Sequence, residues 1–281
     1  MTTTIHPQVA KLISKEYAEQ RSEEWLQLRG KMLTASDAAT AIGDNPYEKP
    51  TGLILKKCGY NKFNGNAATE HGNKYEEEAR ILYENRHNEK CHEIGLYPHP
   101  TIKWLGGSPD GVTESGKLIE IKCPLKRQIK DEVPIHYLPQ LQLLMEILDL
   151  ETCDFIQYKP SDITWPGPSE FVVTHVVRDR QWFEDKLPIM DALWKRVIWY
   201  RENGGVEELL PKPRKPRQIK KTITITGNNN NNCDIKSTYN DDWFRCEDED
   251  EEDDDGASTL PPPPPKCLIQ ILSTDDEYND N

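Results

Sequence analysis

Three side chains in the segment GGSPDGVTESGKLIEIKCP, residues 106–124, have types and spacing suited to chemistry: Asp110, Glu120 and Lys122. Ile119 and Ile121 alternate with Leu118, Glu120 and Lys122. A period of two puts Glu120 and Lys122 on one face of a strand and the isoleucines on the other. A carboxylate and an ammonium on so apolar a strand are costly unless paired or bound to a metal. Ten residues before Glu120, SPDG is a tight-turn sequence. A hairpin from Asp110 to Glu120 therefore brings two carboxylates to one point. Two hard oxygen ligands suit Mg2+ or Mn2+ rather than zinc. Taken singly, E-x-K is an ordinary ion pair and PDG an ordinary turn. Their conjunction, with a carboxylate-bearing helix before and a glutamine-bearing helix after, is what points to a site.

Those flanking elements can be read from capping and periodicity. SEEWLQLRG predicts a short helix ending at Gly30. TASDAATAIG predicts another, with Ser36 as N-cap and Gly43 past its end. Thr51 is a candidate cap for TGLILKKCG. TEHGNKYEEEARILYENRHN predicts a longer helix with Glu76, Ala79 and Tyr83 on one face. Short strands follow around HEIGLYPH, WLGGSPDGV and KLIEIKCP. IHYLPQLQLLMEILDL predicts an apolar helix, CDFIQYK and FVVTHVV two more strands, and RQWFEDKLPIMDALWKRVIWYREN a closing helix interrupted near Pro188. This order predicts an α/β or α+β fold with a central mixed sheet flanked by helices.

Composition bounds the rest. At 36% hydrophobic and 30% charged over 281 residues, the chain is too polar to be a compact globule throughout. Residues 206–281 hold a basic Pro-spaced stretch (212–221), five asparagines (228–232), an acidic block (247–255) and five prolines (261–265). Such a tail is expected to be disordered, and residues 1–20 to be a polar lead-in with a short helix. The tail carries 18 acidic and 9 basic side chains, nine of the thirteen net negative charges, so the body at 21–205 is near balance. It can bind a polyanion if its basic side chains are concentrated in a channel. No apolar run is long enough to span a bilayer, which predicts no membrane association, and the N-terminus lacks an apolar signal core. Seven scattered cysteines without CxxC spacing fit a reducing intracellular compartment. They give only a weak case for zinc at Cys58, Cys91 and His92.

The segments RSEEWLQLRGKMLTASDAA (21–39), HGNKYEEEAR (71–80), GGSPDG (106–111), LIEIKCP (118–124) and LPQLQ (138–142) together resemble the PD-(D/E)xK nuclease superfamily. More narrowly, they resemble the phage lambda exonuclease and YqaJ-type viral recombinase family, over about residues 21–200. The resemblance implies a restriction-endonuclease-like core and a Mg2+-dependent, or Mn2+-dependent, deoxyribonuclease. Such an enzyme digests linear double-stranded DNA from 5′-phosphorylated ends in viral recombination, repair or replication. It also implies DNA ends as partner, with a single-strand annealing protein and a homotrimer as further candidates. The compartment would be the host cytoplasm, a viral replication site or the nucleus. An endonuclease or a non-catalytic DNA-end-binding module on the same fold are the competing readings.

Residue by residue, the resemblance makes Asp110 and Glu120 metal ligands, with the Ile121 carbonyl as a further one. Lys122 would orient and help deprotonate the attacking water. Glu76 would support the metal site, and Gln140 would steady the nucleophile or Lys122. Arg29 and Ser36 would hold the 5′-phosphate, with the helix opened by Ser36 favouring an anion. Each has a plainer alternative. Glu76 has Glu77 and Glu78 beside it, and Gln140 competes with Gln142. Arg29 could pair with Glu23 or Glu24, and Ser36 could be only a cap. Lys126, Arg127 and Lys130 are candidates for gripping the DNA backbone or are simply a solvated loop. His71, His87, His92 and His99 show no ligand spacing.

Overall fold

The computed structural model describes residues 5–60 and 65–210. In chain order the helices are α1 (Pro7–Ile13), α2 (Glu23–Gly30), α3 (Ala38–Ile42), α4 (Pro50–Lys57), α5 (Ala67–His87), α6 (Leu138–Leu148), α7 (Ser161–Thr164) and α8 (Arg180–Asn203). The strands are β1 (Leu33–Thr34), β2 (Cys91–His92), β3 (Tyr97–Pro98), β4 (Leu105–Gly107), β5 (Gly111–Thr113), β6 (Lys117–Lys122), β7 (Thr152–Lys159) and β8 (Glu170–Val177). A mixed five-stranded sheet runs β2-β5-β6-β7-β8, and a small sheet runs β1-β4-β3. Only β6–β7 is parallel within the larger sheet, joined through α6. The expected mixed α/β core is what forms.

Strand β6 divides the interior by its alternation. Ile119 and Ile121 face α5 and pack with Tyr75, Ala79, Tyr83, Ile156 and Tyr158. Leu118 faces the other way, into a larger core of α3, α4, α6 and α8 that includes Leu141, Leu144, Phe155 and Trp194. Helix α5 is tied to the sheet by Tyr83, whose hydroxyl donates to Asp154 at 2.6 Å, and by Tyr75, which donates to Asp162. Helix α6 packs on β4, where a side chain at Gly107 would meet Leu144 at 2.6 Å. That close approach requires glycine, and it sets the distance between α6 and the strand leading into the SPDG turn.

Several local expectations are corrected. Thr34, not Ser36, opens the second helical segment: Thr34 and Asp37 form a reciprocal capping box around a 3-10 turn, Ala35–Asp37, that precedes α3. Lys49 rather than Thr51 precedes α4, because Pro50 takes the first helical position, where its missing N–H costs nothing. Helix α8 continues through Pro188, which lies on an exposed face. The N-terminal segment is no mere lead-in, since Val9 and Leu12 of α1 are fully buried in the main core. The folded body also extends past 205: Val206 starts a 3-10 turn, Val206–Leu209, and is 3% exposed. The rest of the expected tail, 211–281, lies outside the described residues. Among the described residues no helix is long and apolar enough to cross a membrane.

Because Leu144 is fully buried between α6 and β4, Leu144→Ala is expected to lower stability by about 2–5 kcal/mol. Urea unfolding measures it, and a loss under about 1 kcal/mol would contradict this packing.

Candidate active site

The antiparallel β5–β6 pairing sets Gly111 opposite Ile119, so Asp110 falls opposite Glu120. Asp110 Oδ2 accepts the Ile121 backbone N–H at 2.7 Å, which fixes the carboxylate at the end of the hairpin. Lys122 donates to Glu120 Oε1, and the Gln140 amide reaches the same oxygen from α6 at 2.5 Å. Glu120 is 1% exposed, and its second oxygen, Oε2, is buried without a hydrogen-bond partner. Glu76 stands on α5 across a cleft lined also by Asp110 and Ile121, with Arg21 at 3.5 Å from its carboxylate.

The electrostatics follow from this crowding. Burial, with the neighbouring Asp110 charge, pushes Glu120 up to about 7, while Lys122 pulls the other way. Burial and Asp110 likewise push Glu76 up to about 7. Burial raises Asp110, against the pull of Lys122 and the Ile121 N–H. Burial works against a charge on Lys122, but Glu120 and Asp110 outweigh it and hold the amine as an ammonium. The group is thus a hydrogen-bond donor to Glu120, placed beside both carboxylates.

The alternatives left open by the sequence separate here. Gln140 faces Glu120, whereas Gln142 clasps β8 to α8 through the Val177 carbonyl and the Asp179 N–H. Glu76 lines the cleft shared by Asp110 and Lys122, while Glu77, at the border of the adjoining cleft, pairs with Arg80 and Glu78 accepts from Tyr158. Arg29 bonds Ser36 Oγ at 2.8 Å and stacks 4.4 Å over the Trp25 ring. The Arg29–Ser36 pair stands without the expected helix terminus, because Ser36 lies inside the 3-10 turn and α3 has only five residues. Arg127 is turned inward, onto Gln157 Oε1 at 2.7 Å, so it braces its loop against β7. Lys126 and Lys130 are exposed, and Lys130 pairs with Glu132 at 3.5 Å.

Some neighbours were not singled out from the sequence. Ser108 lies two residues past Gly106, which pairs with Thr34 in the β1–β4 register; its hydroxyl is buried and unpartnered. Its place directly before Pro109 and Asp110 was the available signal. Buried Asp37 holds Lys57 at 2.7 Å, and Lys57 also caps the Arg29 carbonyl, which supports Arg29 from below. That support depends on a side chain 28 residues away, with no local signature.

The donors suit a hard divalent cation. Two carboxylates converge and one buried oxygen of Glu120 has no partner, an arrangement that otherwise costs about 1–3 kcal/mol or more. Among the described residues no three His, Cys, Asp or Glu side chains form a ready cage, and none gathers at Cys58, Cys91 and His92.

Comparison with known proteins bears on the family and the fold. Residues 24–151 match the YqaJ-like viral recombinase domain. An uncharacterized protein of Acanthamoeba polyphaga mimivirus is 34% identical over 160 residues, covering 50% of this chain and 29% of that protein. A protein of African swine fever virus is 30% identical, covering 46% of each. The chain thus spans less than half the length of these relatives. The crystal structure of an alkaline exonuclease (LHK-Exo) from Laribacter hongkongensis is 28% identical, with a TM-score of 0.55, and covers 64% of this chain and 95% of that one. The resemblance read from the sequence motifs is borne out at the level of family domain and fold.

Glu76 ionises in a site that disfavours its charge, so its folded-state pKa lies above the ordinary carboxylate value. Its contribution is favourable while it stays protonated and is lost as pH rises from about 4.5 to 7. In chelator, Glu76→Gln is therefore expected to stabilise the protein by ~1 kcal/mol at pH 8, after discounting for partial exposure, with no gain at pH 4.5. Thermal unfolding at the two pH values checks this, and equal effects at both would refute the assigned cause.

Proposed function

We propose that the chain is a metal-dependent deoxyribonuclease that degrades one strand of linear duplex DNA from a 5′-phosphorylated end, 5′ to 3′, during recombination, repair or replication of viral DNA. The observation that carries this reading is the Asp110–Glu120–Lys122 group, with buried Glu120 keeping one unpartnered oxygen. Similarity to an alkaline exonuclease over 95% of its chain supports it.

In this reading Asp110, Glu120 and the Ile121 carbonyl hold Mg2+ or Mn2+, with Glu76 in support. When bound, the cation polarises the scissile phosphate, lowers the pKa of a coordinated water and offsets charge on the leaving oxygen. Lys122 orients the water or the phosphate with its ammonium. Gln140 holds Glu120 Oε1 in place, which leaves the opposite oxygen for the cation. Arg29, flattened on Trp25, offers a fork of donors to a terminal phosphate. Ser36, in the turn after β1, and Ser108, just past β4, add two hydroxyls. Phosphate recognition of this kind selects an end and carries no base sequence. Lys126 and Lys130 remain available to the DNA backbone as exposed cations, while Arg127 acts through its loop.

The test incubates linear 5′-phosphorylated duplex with protein and Mg2+, beside closed circular duplex. Linear DNA is expected to be degraded and circles spared. Lys122→Ala should lower turnover by about 10²–10⁴-fold. Arg29→Ala should weaken the preference for a 5′-phosphate over a 5′-hydroxyl. Turnover retained by the Lys122 variant would refute the chemistry, and equal digestion of circles would refute dependence on ends.

A further inference from the structure

Resting on the nuclease reading, we propose that Tyr47, backed by His136, is a stacking platform for an unpaired nucleobase of the strand entering the cleft. Tyr47 lines a cleft of about 560 Å³ together with Asp110, Lys122, Glu76 and Tyr137. Tyr47 is 81% exposed and shares the cleft with Lys122. An aromatic group so exposed at the mouth of a polar site has a free ring surface and no role in the core.

The ring is held in place by its surroundings. Gly43 ends α3 in the left-handed conformation, with φ of 90°, and turns the chain outward. Asn45 then bonds the Thr40 hydroxyl at 2.7 Å and accepts the Tyr47 N–H at 2.9 Å, so one amide fixes both ends of the loop. His136 meets Tyr47 edge-on, with ring centres 5.6 Å apart. His136 packs on Tyr137 at 4.3 Å, and Tyr137 packs on fully buried Phe155 at 5.7 Å. Four rings thus run from the core to the lip of the cleft. Lys122 lies 5.4 Å from the Tyr137 ring, so the outermost ring is two rings away from the ammonium.

This arrangement suits an unpaired base. Every base has a π-face, so stacking on an aromatic side chain is sequence-tolerant. That matches a site whose other contacts address phosphate. In a duplex the faces of a base are already covered by its neighbours. The platform therefore favours a terminal nucleotide that has left the stack, with its phosphate directed toward Lys122. Tyr47 is a positioning residue in this scheme, since it touches the base and not the reacting atoms.

The test places 2-aminopurine at the 5′-terminal positions of a phosphorylated duplex and adds the full chain in chelator, so that binding is read without cleavage. Stacking is expected to quench the fluorescence. Tyr47→Ala should abolish the quenching and, in Mg2+, raise KM about tenfold with a smaller change in kcat. Tyr47→Phe should restore both. Unchanged quenching and KM in Tyr47→Ala would overturn the platform. Cleavage by the wild-type protein without quenching would overturn it too, and would leave the nuclease reading standing. Quenching lost in Tyr47→Ala, from a wild-type protein that fails to cleave, would support the platform and refute the nuclease.

Discussion

Two carboxylates and an ammonium confined beneath the surface at one end of a sheet govern the centre of this protein. Burial raises the proton affinity of both Asp110 and Glu120, the Asp110 charge raises that of Glu120 further, and the half-buried Lys122 offsets only part of this. Left alone, such a cluster works against folding, because desolvated like charges repel and an unpaired oxygen forgoes its hydrogen bond. A fold that keeps it must supply stability elsewhere. Here that stability lies in two hydrophobic clusters, one on each face of the five-stranded sheet.

The same strand serves both purposes. Along β6, Leu118, Ile119 and Ile121 are buried while Glu120 and Lys122 project at its end. The isoleucines anchor the strand against α5, and this fixes where Glu120 points. From the opposite side, α6 is packed close to β4 across Gly107, which brings Gln140 within reach of Glu120. Helix α5 contributes Glu76 from beyond the first cluster. Site geometry is therefore a consequence of packing on both faces, and a shift of either helix changes the environment of the carboxylates.

Around this centre lie surfaces of differing character. Arg29 and Ser36 form a pair of donors, braced by the Asp37–Lys57 pair. Tyr47 and His136 form an aromatic edge on another wall of the cleft. Donors for phosphate and a ring for a base, both beside acidic groups suited to a cation, make up a set of contacts for a nucleotide strand. The net acidity of the chain does not oppose this, because most of it belongs to residues beyond 205.

Period-two alternation in KLIEIKC was enough to place Glu120 and Lys122 together, because strand geometry is local and leaves no other choice of face. The turn at SPDG and the ten-residue spacing determined that Asp110 would return to them. Helix and strand order was legible for the same reason, and so was the mixed sheet. Tertiary packing decided what local pattern left open. It set Gln140 rather than Gln142 beside Glu120, since both fit one helix and only the register of α6 against β6 separates them. It turned Arg127 inward to Gln157 and set Thr34 of β1 beside Gly106 of β4, through pairings that join distant residues. It also drew Val9, Leu12 and Val206 into the core, where polar surroundings in the sequence had suggested margins. Periodicity and turn chemistry act between near neighbours along the chain. The partner of a side chain across an interface depends on how whole elements dock, and that information is spread over the entire buried surface.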